Sequence, residues 1–420
     1  MEDILLKKFT EPDRWEHAVE IGLGKGIDKS VLRSLTTPET RAAIYVAIRD
    51  GNYEIAPPHQ ALIPKDDGSY RTVYVNENID RIVLSIINDL LFEECGDMVH
   101  PACKSYQKGT GCGNVVKEVS KLVVNTPGKT IGFKSDLSKY FDSVPIRFID
   151  AAFDDVESRV GKSKLIDVLR KYYHADLCFD VDGNLISHYQ SLKQGCAVAS
   201  FLADVVLYHI DDKLSKMNGF YCRYSDDCLF IGREYESAMQ VMSKELSKME
   251  MGLNSKKVEY LSRDRWFKFL GYSIKGDQIS LSKSRIKSFQ KEIESRTIKK
   301  RGITLNNALN SVNAYLYKGN GEFSWATQVL GTINVKHDVD KLNGFVMDCL
   351  RAVQTGKTKL GGLGYVAENK DGCIARGTGK NVRANREKTD ARIDGYYSLG
   401  CMQNALLTRR AAYETLVRSM

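Results

Sequence analysis

An α+β fold, a sheet with helices packed on one face, is what this sequence predicts, and three observations predict it. Between about residues 130 and 275, short β-prone runs (TIGFKSDL, LCFDVDGNLISHY, GFYCRYSDDCLFIG, WFKFLGYSI) alternate with amphipathic helical stretches. The segment ALIPKDDGSYRTVYV carries two short β-prone runs around Asp67-Gly68, a strong hairpin signal. Outside these regions, before about residue 50 and after about 280, the periodicity is helical.

Each element has a local reason. Thr37-Pro38 supplies an N-cap and a first-turn proline, and Ala42, Ile44, Tyr45 and Ile48 follow on one face. From Asp80 to Glu94, Ile82, Val83, Ile86, Ile87, Leu90 and Leu91 share a helical face. FIDAAFDDVESRVGKSKLIDVLRKYY and YESAMQVMSKELSKM read as helices, and AVASFLADVVLYHIDDKLSKM reads as a single one. Leu305, Leu309, Val312 and Leu316, then Leu342, Phe345, Val346, Cys349, Leu350 and Val353, continue a helical bundle as core positions. From about 355 to 395 the chain is Gly-rich, charged and irregular.

Composition excludes whole classes. With 420 residues and 43% hydrophobic residues, the chain is too long and too apolar for a disordered tail or a stapled mini-domain. No apolar run approaches the roughly 20 residues that span a bilayer, and the charged N-terminus does not read as a secretory signal. Ten cysteines without a C-x-x-C read as reduced thiols, so a cytoplasmic protein is expected. Lys and Arg number 61 against 53 Asp and Glu, a net charge of +8 that hints only weakly at a polyanionic partner.

Four Asp-Asp dipeptides begin at 66, 154, 211 and 226, and context separates them. The first belongs to a turn, the second to a helix face and the third to the end of an amphipathic helix, all expected to be solvated. Asp226-Asp227 instead sits between two β-prone runs, where adjacent carboxylates would repel and protonate unless cations neutralise them. A pair of Mg²⁺ ions provides that neutralisation. A third carboxylate comes from Asp136, at the C-terminal edge of the run that begins at Thr130. Asp142 competes for that place but reads better as a cap for the next helix. Three carboxylates around two metals form the arrangement that clamps attacking and leaving oxygens in phosphoryl transfer.

DLSKYFDSV, QGCAVASFLADV, YSDD, LNSKKV and FLGY, in that order, resemble the palm motifs of reverse transcriptases, and PKDDGSYRTVYVNENIDRIV resembles their fingers. The likeness runs from about 60 to 275 and points to the bacterial lineage of group II intron, retron, diversity-generating and phage-defence enzymes. It implies a right-hand polymerase: N-terminal helices and fingers over 1–130, a palm with an antiparallel sheet over 131–275, a helical thumb over 276–355 and a basic C-terminal extension over 356–420.

Carried across residue by residue, the resemblance makes Asp136, Asp226 and Asp227 the ligands of two Mg²⁺, with the Leu137 carbonyl beside them. Lys65 and Arg71 would grip the incoming dNTP, and Gln194-Gly195 would lie beside the template and nascent base pair. Lys257, or Lys256 beside it, would protonate the leaving pyrophosphate. Phe269, Leu270, Gly271 and Tyr272 resemble the primer grip. Phe141 stands where these enzymes close off the sugar 2′ side, so deoxynucleotides are the expected substrate. Two positions depart from the usual pattern: Asp204 stands in an Asn place and Ser225 in an Ala place.

Beyond the palm, Lys283, Arg285, Lys287 and Lys291 flank the seam Ile286, Phe289 and Ile293, as expected of a thumb that tracks a nucleic-acid backbone. Arg376, Lys380, Arg383 and Arg386 lie in a basic strip between 376 and 392, a candidate RNA clamp. No Cys/His-rich nuclease segment follows. The expectation is therefore an RNA-directed DNA polymerase that copies a structured noncoding RNA into cDNA, most like the defence-associated reverse transcriptases of type 2. A retron or diversity-generating enzyme, or a maturase-like RNA scaffold with a vestigial site, are the alternatives.

Overall fold

The structure is a computed structural model that describes residues 2–24, 27, 29–65, 68–107, 109–317 and 325–355, with short pieces at 367–368, 374–375, 396, 398–400 and 402–403. Asp66, Asp67, Arg376, Lys380, Arg383 and Arg386 lie outside the described residues. The fold is α+β, in two compact units: residues 1–108 with 131–261, and 109–130 with 262–420.

The first unit is built on a four-stranded antiparallel sheet in the order Phe220–Tyr224, Asp227–Ile231, Gly132–Asp136, Glu259–Leu261. Its strands are short and rich in aromatic and branched residues, and Phe133, Cys222, Leu229 and Phe230 are fully buried. The helix Asn78–Glu94 buries the predicted Ile82, Val83, Ile86, Ile87, Leu90 and Leu91 in the same core. The helix Pro38–Arg49 starts as predicted, with the Thr37 hydroxyl accepting from Thr40 N–H at 3.3 Å.

A second sheet in this unit orders Tyr70–Val75, His59–Pro64, Leu177–Phe179 and Leu185–Ser187. Its first pair is the predicted hairpin, with Pro64 opposite Tyr70 and Ile63 opposite Arg71. Its second hairpin, also predicted, joins the first through the parallel pair His59–Phe179.

The predicted single helix after Ala197 is two: Ala199–Val205 and Tyr208–Ser215. The break has a physical cause. In an unbroken helix the carbonyls of Ala203 and Asp204 would accept from the next turn. Instead they accept from the Arg223 guanidinium at 3.0 and 2.8 Å, and the Ala203 carbonyl also takes the Tyr140 hydroxyl at 2.7 Å.

In the second unit the strands Gln278–Leu281, Tyr272–Lys275 and Phe267–Phe269 form an antiparallel sheet. The helix Cys112–Asn125 belongs with them: the Ser120 hydroxyl donates to the Gly276 carbonyl at 2.9 Å. Helices Lys283–Arg296, Leu305–Tyr317, Trp325–Val329 and Lys336–Thr355 bury Leu309, Val312, Leu316, Leu342, Phe345 and Val346, the bundle the sequence predicts. Among the described residues no helix is long and apolar enough to cross a membrane, and the described cysteines are free thiols.

Candidate active site

Asp136 is the last residue of its strand and Asp227 the first of its own, and the antiparallel register sets them directly opposite each other. Directly paired residues of neighbouring strands hold their Cβ atoms about 5 Å apart, close enough for two carboxylates to feel each other strongly. Asp226 sits in the turn between Tyr224 and Asp227, and its carbonyl accepts from Leu137 N–H at 3.0 Å. Sheet pairing and turn geometry thus bring Asp136, Leu137, Asp226 and Asp227 to one edge.

That concentration of charge has an electrostatic cost. Burial, a hydrogen bond shared with Asp136 and the charges of Asp136 and Asp226 all push the Asp227 carboxyl well above the usual carboxylate range. Burial also raises Asp226, opposed by Lys257 and Arg71. Lys257 meets the excess at Asp136 with a direct ion pair, and that hydrogen bond holds its ammonium above the ordinary lysine value.

The placement of Lys257 is local. Asn254 caps the short turn Ser255–Lys257 and donates its N–H to the Asp136 carbonyl at 2.9 Å, while Ser138 N–H reaches the Gly252 carbonyl at 2.8 Å. Of the two candidate lysines, it is Lys257 that contacts Asp136.

Among the described residues no three His, Cys, Asp or Glu side chains converge as a closed metal cage. The donors nevertheless fit a hard divalent cation: all are oxygens, and their mutual repulsion is what a cation relieves. Asp136, Asp226 and Asp227, with the Leu137 carbonyl, are the residues that would hold it.

Around this edge the hairpin over His59–Val75 presents Lys65 and Arg71, both exposed. Their charges reach Asp142, and that of Arg71 reaches Asp226. Asp142 itself is not a helix cap, contrary to expectation. It lies inside the short helix Tyr140–Ser143, and the following helix Ile146–Val160 begins after Pro145. Phe141 packs edge-on to Tyr140 with ring centroids 5.6 Å apart, and its carbonyl accepts from Leu192 N–H at 3.2 Å.

Gln194-Gly195 lies against the hairpin: Tyr74 N–H donates to the Gln194 carbonyl at 2.7 Å. Gly195 has φ +109°, and a Cβ there would sit 2.8 Å from the Tyr74 carbonyl oxygen. Gly195→Ala should therefore cost about 1–3 kcal/mol and displace the loop, read as a lower Tm with a raised KM for nucleotide. An unchanged KM would separate this loop from nucleotide binding.

Two features escaped the sequence reading. Asp211, expected to be solvated, is fully buried and holds Arg223 in a bidentate ion pair with a closest approach of 2.7 Å. The reversal has a visible signal: Asp211 shares a helix face with Ile210 and Leu214, and Arg223 stands in the apolar run FYCRY, where a lone cation needs an anion. Lys193, also buried, lies 4.7 Å from the Tyr172 ring and donates to Gln190 Oε1 at 2.7 Å. Burial pulls its ammonium down to about 8.

Residues 63–274, half of the 420, match the family described as reverse transcriptase (RNA-dependent DNA polymerase). The chain belongs to that family.

Similar solved structures include telomerases. That of Candida albicans in complex with a TWJ fragment of telomeric RNA is 11% identical with a TM-score of 0.43, covering 88% of this chain and 65% of its own. Apo telomerase of Candida tropicalis is 13% identical with a TM-score of 0.43, covering 86% and 66%. Its form truncated from the C-terminal domain is 16% identical with a TM-score of 0.40, covering 54% and 56%. The chain thus spans no more than about two thirds of the length of the telomerases it matches. No curated protein sequence matches it.

In the second unit, Phe269 pairs with Tyr272 across the two-residue turn Leu270-Gly271, with φ of +50° and +78°. This is a tight hairpin turn of the primed kind. Arg285 stacks on the Tyr272 ring at 4.6 Å, so its guanidinium supports the turn while Lys283, Lys287 and Lys291 are exposed at helical spacing. The acids of that helix are engaged within the unit, Glu292 with Arg296 at 2.6 Å and Glu294 with Lys299 at 2.5 Å.

Proposed function

We propose that this chain is an RNA-directed DNA polymerase that uses two Mg²⁺ ions to copy a structured noncoding RNA into cDNA, in the cytoplasm, as part of bacterial anti-phage defence. The observation that carries the polymerase reading is the strand-paired Asp136 and Asp227 with Asp226 at the adjoining turn, inside the matched family region. The noncoding template and the defence role rest on the resemblance of the motifs to the bacterial lineage and of the compact chain with its helical C-terminal region to the type 2 defence-associated enzymes, and the four-part division into fingers, palm, thumb and extension rests on the motif likeness.

Bound ions would supply charge neutralisation and Lewis acidity at the attacking and leaving oxygens. The protein's own residues do the rest. Lys65 and Arg71 bind the triphosphate of a dNTP, the Arg by a planar fork suited to phosphate oxygens. Phe141 excludes a 2′-hydroxyl, since an apolar ring can neither hydrogen-bond it nor leave it space. Gln194 and Gly195 hold the template side, and Lys257 keeps a proton on Nζ for the departing pyrophosphate. The Phe269–Tyr272 turn grips the primer, and Lys283, Lys287 and Lys291, with Arg376, Lys380, Arg383 and Arg386, meet RNA phosphates.

The test is to purify the protein with its bound nucleic acid, add dNTPs and Mg²⁺, and sequence both the RNA and any DNA made. One enriched RNA and DNA complementary to it are expected, as is phage resistance in cells that is lost with Asp226→Ala plus Asp227→Ala. No enriched RNA and no incorporation would overturn the reading.

A further inference from the structure

Beneath the Asp226 turn lies a buried polar layer that the polymerase reading does not use. Arg223, 1% exposed, divides its guanidinium among the Asp211 carboxylate and three backbone carbonyls: Ala203 at 3.0 Å, Asp204 at 2.8 Å and Ser225 at 3.1 Å. From the other side, segment 102–105 pairs with the edge of the strand Phe220–Tyr224: Arg223 N–H reaches the Ala102 carbonyl at 2.9 Å, and Lys104 N–H the Arg223 carbonyl at 2.8 Å. This pairing delivers the Ser105 hydroxyl, which accepts from Ser225 N–H at 3.0 Å and donates to Asp204 Oδ1 at 2.5 Å. Asp204, fully buried, also accepts from Cys103 Sγ at 3.1 Å and Gln107 Nε2 at 3.4 Å.

Ser225 is held at both ends, its carbonyl by Arg223 and its N–H by Ser105. It needs holding, because its φ of +56° is a left-handed conformation that a serine rarely adopts. A buried ion pair is weak evidence for stability by itself, since apolar residues often serve as well. Here, apart from the Asp211 carboxylate that anchors Arg223, the named hydrogen bonds end on the Ser225 backbone or on Ala203 and Asp204 at the helix break beside it. The donors around Asp204 also favour a carboxylate: Ser105, Cys103 and Gln107 all give hydrogens, whereas an Asn amide would add two more donors.

We infer that Ser105, Asp204 and Arg223 are positioning residues that hold the Ser225–Asp227 turn in its strained form, so that Asp226 and Asp227 present their carboxylates to a divalent cation in one fixed geometry. This rests on the polymerase reading of the site. It also ties the two departures from the family pattern, Asp204 and Ser225, into one hydrogen-bonded unit.

Ser105→Ala tests it, because it removes a single hydroxyl and leaves the Arg223–Asp211 pair in place; Asp204→Asn is the second variant. Binding of Mn²⁺ alone, followed by the electron paramagnetic resonance of the free ion without nucleic acid, should weaken about 3–10-fold in each. On a primed RNA template kcat should fall at least about 10-fold with the KM for dNTP within about twofold. A lower Tm with Mn²⁺ affinity and kcat unchanged would overturn the inference, leaving the layer as packing. If wild-type protein incorporated no dNTP but Ser105→Ala still weakened Mn²⁺ binding, the positioning role would stand and the polymerase reading would fall.

Discussion

Asp226→Ala combined with Asp227→Ala should lower dNTP incorporation by more than about 10³-fold, beyond the loss expected from removing a single electrostatic donor. The same site should behave oppositely in stability. Asp227 is half-buried against Asp136, and burial first, then the hydrogen bond and repulsion it shares with Asp136, raise its tendency to hold a proton. Asp227→Asn removes one of the repelling charges and keeps the shape, so the metal-free protein should gain about 1–2 kcal/mol. Mg²⁺ should raise the Tm of the wild type, because a ligand that binds only the folded state stabilises it, and should not raise that of the Asn variant. Calorimetric scans with and without Mg²⁺ read both effects. A destabilised Asn variant whose Tm rises with Mg²⁺ as much as the wild type's would mean that Asp227 is a structural acceptor and not a cation ligand.

Phe141→Ala should relax sugar discrimination by about 10²-fold, the scale on which shape alone rejects an extra hydroxyl. Phe141 is held at two points: its backbone carbonyl accepts from Leu192 N–H, and Tyr140 packs edge-on against its ring. Tyr140 is in turn buried and tied to the Ala203 carbonyl. The wall is therefore rigid, and truncation should open space without collapsing the strand edge. Competition between a dNTP and the rNTP of the same base, read as the ratio of kcat/KM values, measures it. Phe141→Tyr should keep most of the discrimination. A ratio unmoved by Phe141→Ala would place the sugar gate elsewhere.

The parts of the molecule that were legible in the sequence are those with local causes. The hairpin over His59–Val75 follows from short β-prone runs around a turn, and the start of the helix at Pro38 from Thr37. Asp226 and Asp227 stood out because paired charges between apolar strands have no packing reason. What was hidden depends on partners far along the chain. Asp211 looks like the wet end of a helix until Arg223 arrives from the next strand, and the same Arg splits the helix by taking the Ala203 and Asp204 carbonyls. The helix Cys112–Asn125 precedes the central sheet in sequence yet belongs to the second unit, through contacts such as Ser120 with Gly276 that no local pattern announces.

The close approach of Gly195 to Tyr74 leaves no slack between the loop and the hairpin strand. Lys65 and Arg71 ride on that same hairpin, so it cannot shift toward or away from a nucleotide without carrying Gln194 and Gly195 with it. On the roles proposed for these residues, capture of the triphosphate and inspection of the template base would be two ends of one lever. An incoming nucleotide that paired poorly would weaken the hold on its own phosphates.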